Sequence, residues 1–536
     1  MKSGMHTCSR GPSTPRTEGV SIAASATARN REPRRRPAGV VIAVSLIAPL
    51  TVAGCAVGPD FQRPPPPAVA SLTPTPLPTA GHKRAAGQAF VQSLDIPQRW
   101  WELFHCPELN ALVGRAIDGN PDLDAARAAV RIADANTRAA QGAFFPQVGA
   151  NLQSSSQKPS AAQAQAAGTS TAPYSLSSGA LTVSFVPDVF GLNTRQVESL
   201  AAQAEEQRFE LEAAYLTLTS KLAMAAIEEA SLRDQITATE TSIKVAKDVL
   251  AVLKKQLNAN EATRIDVSAQ EVTLSQFEQT LHGLRKRLVT NRDLMIALTG
   301  NLAGNGLREE LRFSCLHLPA ELPLSLPSSV VRDRPDVRAA EASMHAATAD
   351  IGVAIANRLP QFNLTANAGA SAATIAKFAS AASPLLFWSV LGSAALTLFD
   401  GMTSAQKQRA AEAGLDRSAA LYRSTVIAAF QNIADVLQTI EVDRQQFLAA
   451  KAGAKAAQAN LNMTRELLGL RQTSALQVLS AQQMYAQAMS SYAQIKAARR
   501  SDTVMLFQAL GGGHSSNEAT KEWTASVMRV GDDVRR

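Results

Sequence analysis

The side chains able to do covalent or metal chemistry are few and scattered along the 536 residues. The seven histidines (His6, His82, His105, His282, His317, His345 and His514) show no metal-ligand spacing. No Gly-x-Gly-x-x-Gly, P-loop or Gly-x-Ser-x-Gly elbow occurs. The glycines at 511 to 513 lack the strand and helix of a phosphate loop and suit the end of a chain element better. The acid pairs Glu205/Glu206, Glu228/Glu229 and Glu309/Glu310 fall in helical stretches and read as solvated faces. An enzyme is not indicated, and no catalytic residue, metal or cofactor is expected. Of the four cysteines (Cys8, Cys55, Cys106 and Cys315), one stands in a setting that suggests chemistry. Cys55 in "VAGCAVGPD" follows small residues at the end of an apolar run, where a thiol could accept an acyl chain.

The segment before it fits that reading. "REPRRRPAG" at 31 to 39 runs into "VVIAVSLIAPLTVAG", giving a basic region, an apolar stretch of about 14 residues and small residues before a cut. That stretch is shorter than the roughly 20 apolar residues a membrane-spanning helix needs, and it contains Pro49. Val52-Ala53-Gly54-Cys55 resembles a lipobox, so residues 1–54 are expected to be a signal peptide and Cys55 the lipidated first residue of the mature chain. Ala56 rather than Asp after the cysteine favours sorting to the outer membrane. The basic balance loses meaning accordingly. Residues 1–54 hold eight Lys or Arg against Glu18 and Glu32, a net of +6 out of the whole chain's +8, leaving +2. Nucleic acid is not an expected partner. Export would permit a disulfide between Cys106 and Cys315, but two cysteines make no framework, and both are expected to remain free thiols.

The elements that would carry these residues are written twice. "NPDLDAARAAVRIADANTRAAQGAFFPQV" at 120 to 148 returns as "RPDVRAAEASMHAATADIGVAIANRLPQF" at 334 to 362, with Pro121/Pro335 and Pro146/Pro360 both 214 apart. "SAQ" recurs at 268 and 480, and "ALTG" at 297 matches "ALGG" at 509, each 212 apart. So long a period means a duplicated half, not a solenoid. In each half a helix ends at the proline and an alternating stretch follows. In "QFNLTANAGASA", even positions from Phe362 to Ala372 are apolar and odd positions are polar or glycine, as in a strand with one greasy and one wet face. Strands are expected at 146–156 and 175–186, then at 360–372 and 385–399. After each second strand comes a proline-free stretch rich in Ala, Gln and Glu, about 192 to 257 and 402 to 468, long enough for a helix of roughly 100 Å. A shorter helix returns at about 263 to 299 and 474 to 510.

Strands of about 10 residues with this alternation have membrane-crossing length. Four cannot close a useful barrel, but three copies supply twelve.

Together these residues resemble the TolC-like outer membrane factors of tripartite efflux pumps, in their lipoprotein (NodT-like) branch. The likeness is carried by "CAVGPDFQRP" from Cys55, "WWELFHCPELNALVGRAIDGNPDL" from Trp100, "LPSSVVRDRPDVRAAE" from Leu326 and "ALGGG" at 509 to 513. It implies a mixed α and β homotrimer: a 12-stranded outer-membrane β-barrel continued by a 12-helix periplasmic α-barrel, with an equatorial domain. It also divides the chain into a lipid-anchored segment (55–106), a first repeat (107–311), a linker (312–333), a second repeat (334–513) and a polar tail (514–536). The implied partners are a periplasmic adaptor and an inner-membrane efflux pump, with drugs or other small molecules as cargo. A type I protein-secretion channel shares the fold, and a lipid-tethered coiled-coil scaffold is the other alternative. The lipobox favours small-molecule efflux. In the family the two helical turns carry a glycine and dock the adaptor, and register puts Asn260 and Arg471 at those glycine positions. Asn260, Thr263, Arg471, Thr473 and Ser474 are therefore the expected docking residues, and Arg465, Glu466 and Arg471 the expected closers of the resting aperture. Asn tolerates a left-handed turn whereas Arg does so poorly, so the second turn either differs or accepts strain.

Overall fold

Alternation along the chain becomes a four-stranded antiparallel sheet in the computed structural model, which describes residues 56–65 and 88–512 apart from 93, 95, 169, 303, 305, 325–332 and 381–384. The expected signal peptide, Cys55, part of the linker and the tail lie outside the described residues. The sheet strands are β2 (Gln147–Gln157), β3 (Tyr174–Phe185), β5 (Gln361–Ala372) and β6 (Leu385–Ala395), in that spatial order. Register puts Ala150, Leu181, Ala368 and Trp388 abreast on one face, with Val148, Val183, Ala366 and Val390 in the neighbouring row. The opposite face carries Thr182, Asn367 and Ser389 in a row, where the Thr182 hydroxyl donates to Asn367 Oδ1 at 2.7 Å. One difference from expectation is the last strand, which stops at Ala395 instead of 399. Its partner residue there is Gln361, and the preceding Pro360 has no N–H to extend the ladder. The connectors also fold locally, as α3 (Ala161–Ala167), closed by a capping box at Ser160, and α7 (Ile375–Ala379).

The helices follow the duplication closely. α1 (Pro107–Gly119) precedes α2 (Pro121–Gln141), whose start is fixed by Pro121 and by Asn120 Oδ1, which accepts from the amides of Asp122 and Leu123. Its counterpart α6 (Pro335–Ala356) also begins at a proline. The two long hairpins are α4 (Leu192–Asn258) with α5 (Arg264–Leu298), and α8 (Thr403–Gly469) with α9 (Ala475–Ala509). Each pairs 67 residues with 35, so α4 and α8 extend roughly 100 Å. The repeated glycine at the end of each half is explained by backbone: Gly300 and Gly512 hold φ of 72° and 64°. A Cβ on Gly300 would fall 1.8 Å from the Gly119 carbonyl oxygen. Among the described residues no helix is long and apolar enough to cross a membrane.

A belt wraps the hairpins where the two halves meet. β1 (Ala89–Gln92), before the first repeat, pairs in parallel with β4 (Glu321–Leu324) of the linker. Trp100, Trp101 and Phe104, all buried, pack with Leu311, Phe313 and Leu316 against α4 and α9. This packing brings Cys106 and Cys315 together as a disulfide with Cα atoms 5.1 Å apart, which corrects the expectation of two free thiols. Two apolar segments about 209 residues apart share one core, a fact that counting cysteines cannot reach. One of the acid pairs is corrected in part as well. Glu229 is fully buried, with Oε1 accepting from Arg233 at 2.8 Å and from Arg292 at 2.7 Å, while Glu228 and Glu309 pair with Arg287 and Arg115. Glu229 is thus a buried tie within α4 and to α5, whereas the Glu228 and Glu309 pairs are exposed contacts and Glu310 is 55% exposed.

Candidate functional site: the hairpin turns and the N-terminal strap

Two turns close the ends of the hairpins remote from the sheet, and both rest on the same core. Val245, Val249 and Leu253 of α4 and Val267 of α5 pack with Leu461 and Leu468 of α8 and Val478, Ala481 and Tyr485 of α9. The repeated glutamines of "SAQ" meet at its centre: buried Gln270 donates from Nε2 to Gln482 Oε1 at 3.2 Å and to the Ala246 carbonyl at 3.0 Å. The halves are thus locked to each other just inside the turns.

At the turns, Asn260 and Arg471 take φ of 58° and 60°. The second turn therefore keeps the geometry of the first and accepts the strain of an arginine in the left-handed region. Arg471 Nη1 reaches Glu261 Oε1 of the other turn at 2.6 Å, an exposed contact between the hairpins. Arg465 Nη2 lies 3.4 Å from Asp248 Oδ2, again across hairpins, whereas Glu466 is exposed and contributes its carbonyl to the Leu470 amide.

Thr263 and Ser474 are helix N-caps. Thr263 Oγ1 accepts from the Asp266 amide, and Asp266 Oδ2 accepts in return from the Thr263 amide and hydroxyl at 2.9 and 2.6 Å. Those two hydrogen bonds hold the Asp266 carboxyl below its ordinary range. Ser474 Oγ accepts from the Gln477 amide, and the Thr473 hydroxyl donates to the Gln477 side chain. All five residues expected at the turns gather there, with Thr263 and Ser474 serving local structure as well as facing outward. Aliphatic side chains stand bare beside them: Ile265, Leu470 and Leu476 are 78%, 66% and 73% exposed.

At the other end of α4 a strap of chain, Ala56–Pro65, lies against α4 and α6, an arrangement that sequence reading missed. Arg195, nearly buried, donates from Nε to the Val57 carbonyl at 3.0 Å and from Nη2 to Asp60 Oδ1 at 2.7 Å. Its Nη1 donates to Glu198, which also meets His345 Nε2 at 3.0 Å, and the His345 ring stacks on Phe61 at 4.5 Å. Burial would raise the Glu198 carboxyl, but the hydrogen bonds from His345 and Arg195 outweigh it and hold the group below its ordinary range. Gly58 allows the close approach: with φ 98°, its Cβ would sit 2.5 Å from the Cα of Gly352. The strap begins at the joint between β3 and α4, where Val57 N donates to the Phe190 carbonyl at 3.2 Å. No local motif marks Arg195 or His345, since their partners are brought by the fold.

Comparison with known proteins places these features. A family described as outer membrane efflux protein matches residues 112–301 and 326–512. The pyoverdine export outer membrane protein OpmQ of Pseudomonas putida is 27% identical over 462 residues, 84% of this chain and 97% of that protein. The toluene efflux pump outer membrane protein TtgC of Pseudomonas putida is 27% identical over 483 residues, 88% of this chain and 96% of that one. The crystal structure of the Campylobacter jejuni CmeC outer membrane channel superposes with a TM-score of 0.79 at 19% identity, covering 88% of this chain and 98% of that one.

Proposed function

Because the chain belongs to the outer membrane efflux protein family, we propose that three copies close a twelve-stranded barrel in the outer membrane and continue it as a tunnel of twelve helices. The protein is an outer-membrane efflux channel, similar over most of its length to channels named for pyoverdine export and toluene efflux. Conduction through it is passive, and an inner-membrane pump and periplasmic adaptor drive and select the cargo. Relatives named for pyoverdine export, toluene efflux and cation efflux support drugs or other small molecules as cargo.

The observation that carries the trimer is the open sheet. Its apolar face is bare, with Leu386, Trp388 and Val390 71% to 83% exposed, and among the described residues both edge strands β2 and β6 lack an outer partner within the sheet. In lipid every backbone N–H and C=O must be satisfied, so such edges have to pair with other copies. Four alternating strands put β6 antiparallel to the β2 of the next copy, and the wet row Thr182, Asn367 and Ser389 would line the lumen. Two copies would give eight strands, whose interior side chains fill; three leave a duct.

The same reading gives Cys55 an acyl chain. Ala56, the next residue, starts the strap at the joint of sheet and helix, where the barrel would meet the periplasmic face of the membrane. The hairpin turns, with Asn260, Thr263, Arg471, Thr473 and Ser474 around bare Ile265 and Leu476, form the surface offered to the adaptor. The cross-hairpin pairs of Arg465 and Arg471 hold the resting aperture, with Glu466 left to face a neighbouring copy. Extraction of the full-length protein and measurement of its native mass and bilayer conductance test this. Monomers without conductance would refute it.

A further inference from the structure

The Cys106–Cys315 disulfide joins the start of the first repeat to the linker that leads into the second. Cys106 stands at the N-cap position of α1 and is fully buried; Cys315 is half-buried in the turn that follows Leu311. On the linker side the regular element among the described residues is β4, which pairs with β1. The linker backbone reaches the Trp100–Phe104 turn through the His317 amide, which donates to the Phe104 carbonyl at 3.0 Å. From there the belt is gripped by α9: Arg500 Nε donates to the Leu316 carbonyl at 2.9 Å, and Lys496 and Arg500 lie 4.2 and 4.6 Å from the Phe313 ring centroid. The sulfur bridge thus completes a ring of contacts running from α1 through the linker to α9.

We propose that this disulfide is a clasp closed by a periplasmic protein dithiol oxidase, and that closing it is a required step in the assembly of this channel. The linkage could not form readily after folding. Disulfide exchange needs a thiolate that an oxidant can reach. In the folded belt Cys106 is sealed, and Glu108 Oε2 stands 2.8 Å from the Cys315 sulfur, a negative charge that would oppose a thiolate. The bond must therefore be made while the belt is open. Two thiols become one S–S bond, releasing two protons and passing two electrons to the oxidase's own disulfide through a mixed-disulfide intermediate. The pairing is also unambiguous. Once the leader with Cys8 is gone and Cys55 carries its lipid thioether, Cys106 and Cys315 are the remaining thiols of the chain. This last point rests on the lipoprotein reading, which palmitate labelling tests separately.

The experiment is thiol trapping of the full-length protein in intact envelopes, using a maleimide–polyethylene glycol reagent after denaturation, beside a count of folded trimers. In cells with the oxidase, no thiol should be labelled. In cells lacking it, two labels should be added and folded trimers should fall several-fold. The Cys106→Ser/Cys315→Ser variant should give the same reduced trimer level in both strains, and purified, it should unfold roughly 5–10 °C below the parent. If that variant does not accumulate at all, the labelling and trimer count of the unaltered chain still decide. Free thiols or bound zinc in the native protein, or trimer levels indifferent to the oxidase, would overturn the proposal.

Discussion

Arg471 and Glu229 show how burial sets the worth of a charge in this chain. The Arg471–Glu261 pair is exposed and is worth about 0.2–1 kcal/mol, while the left-handed backbone at Arg471 costs about 1–2 kcal/mol. Replacing Arg471 by Gly removes both, so denaturation should show a change within about 1 kcal/mol even though the link between the turns is gone. Glu229→Ala is different, because it strips the buried partner of Arg233 and Arg292. A loss of about 3–5 kcal/mol is expected in the same measurement, and a loss below about 1 kcal/mol would contradict the ion-pair assignment. Cys55→Ala should abolish labelled palmitate incorporation while leaving the barrel able to assemble. Equal incorporation would rule out Cys55 as the acceptor. At this scale the sequence was only half legible. The left-handed turn at Asn260 follows from the family resemblance and register together, while at Arg471 the sequence leaves the choice between another geometry and strain open, and the structure shows φ of 60°. The roles of Arg195 and Glu229 and the Cys106–Cys315 bridge could not be anticipated, because their burial and their partners Asp60, Arg292 and the second cysteine are brought from far along the chain.

Among the elements, the strands carry the most direct prediction. Leu364 and Val390 lie on the apolar face and Asn367 on the wet one. Leu364→Arg and Val390→Arg should cost about 2–4 kcal/mol of insertion energy near the membrane midplane, whereas Asn367→Arg and Asn363→Arg should still insert. Equal yields of folded protein from both sets would reverse the assignment of faces. At the turns, capping separates structure from docking. Ser474→Asp retains a capping acceptor, so the helix should survive and efflux should fail, whereas Ser474→Ala should cost about 1 kcal/mol and spare much of the efflux. Drug-susceptibility assays at matched trimer levels decide between them. The Thr263–Asp266 cap should also sense acid. The Asp266 pKa is depressed by folding, so its contribution is complete above the ordinary carboxylate range and disappears as pH falls through the lower folded value. Helix and strand limits were readable to within a residue or two, because the period, prolines and caps are local signals. The early end of β6 was not, since Pro360 acts on it from a neighbouring strand.

For the whole molecule, duplication is the feature that made the architecture readable. Offsets of 214 and 212 residues mapped onto matching helices, hairpins and strands, and the sheet joins the halves through β3 and β5. The turns themselves match at 211, from Asn260 to Arg471 and from Thr263 to Ser474, before "SAQ" returns to 212. The extra residue is absorbed because steps of three and four stay on one helix face, keeping Val267 and Gln270 equivalent to Val478 and Gln482. The disulfide adds a global term: closing a loop of 209 residues would stabilise the folded chain by about 5 kcal/mol in the chain-entropy view. The bare sheet edges remain the feature a single chain cannot resolve. Single-channel recording on the full-length protein, extracted in detergent and weighed intact, tests their closure most directly. A mass of three chains together with long-lived conducting steps in a planar bilayer is expected. A one-chain mass, or three-chain particles that insert without conducting, would contradict the channel formed by joined sheets.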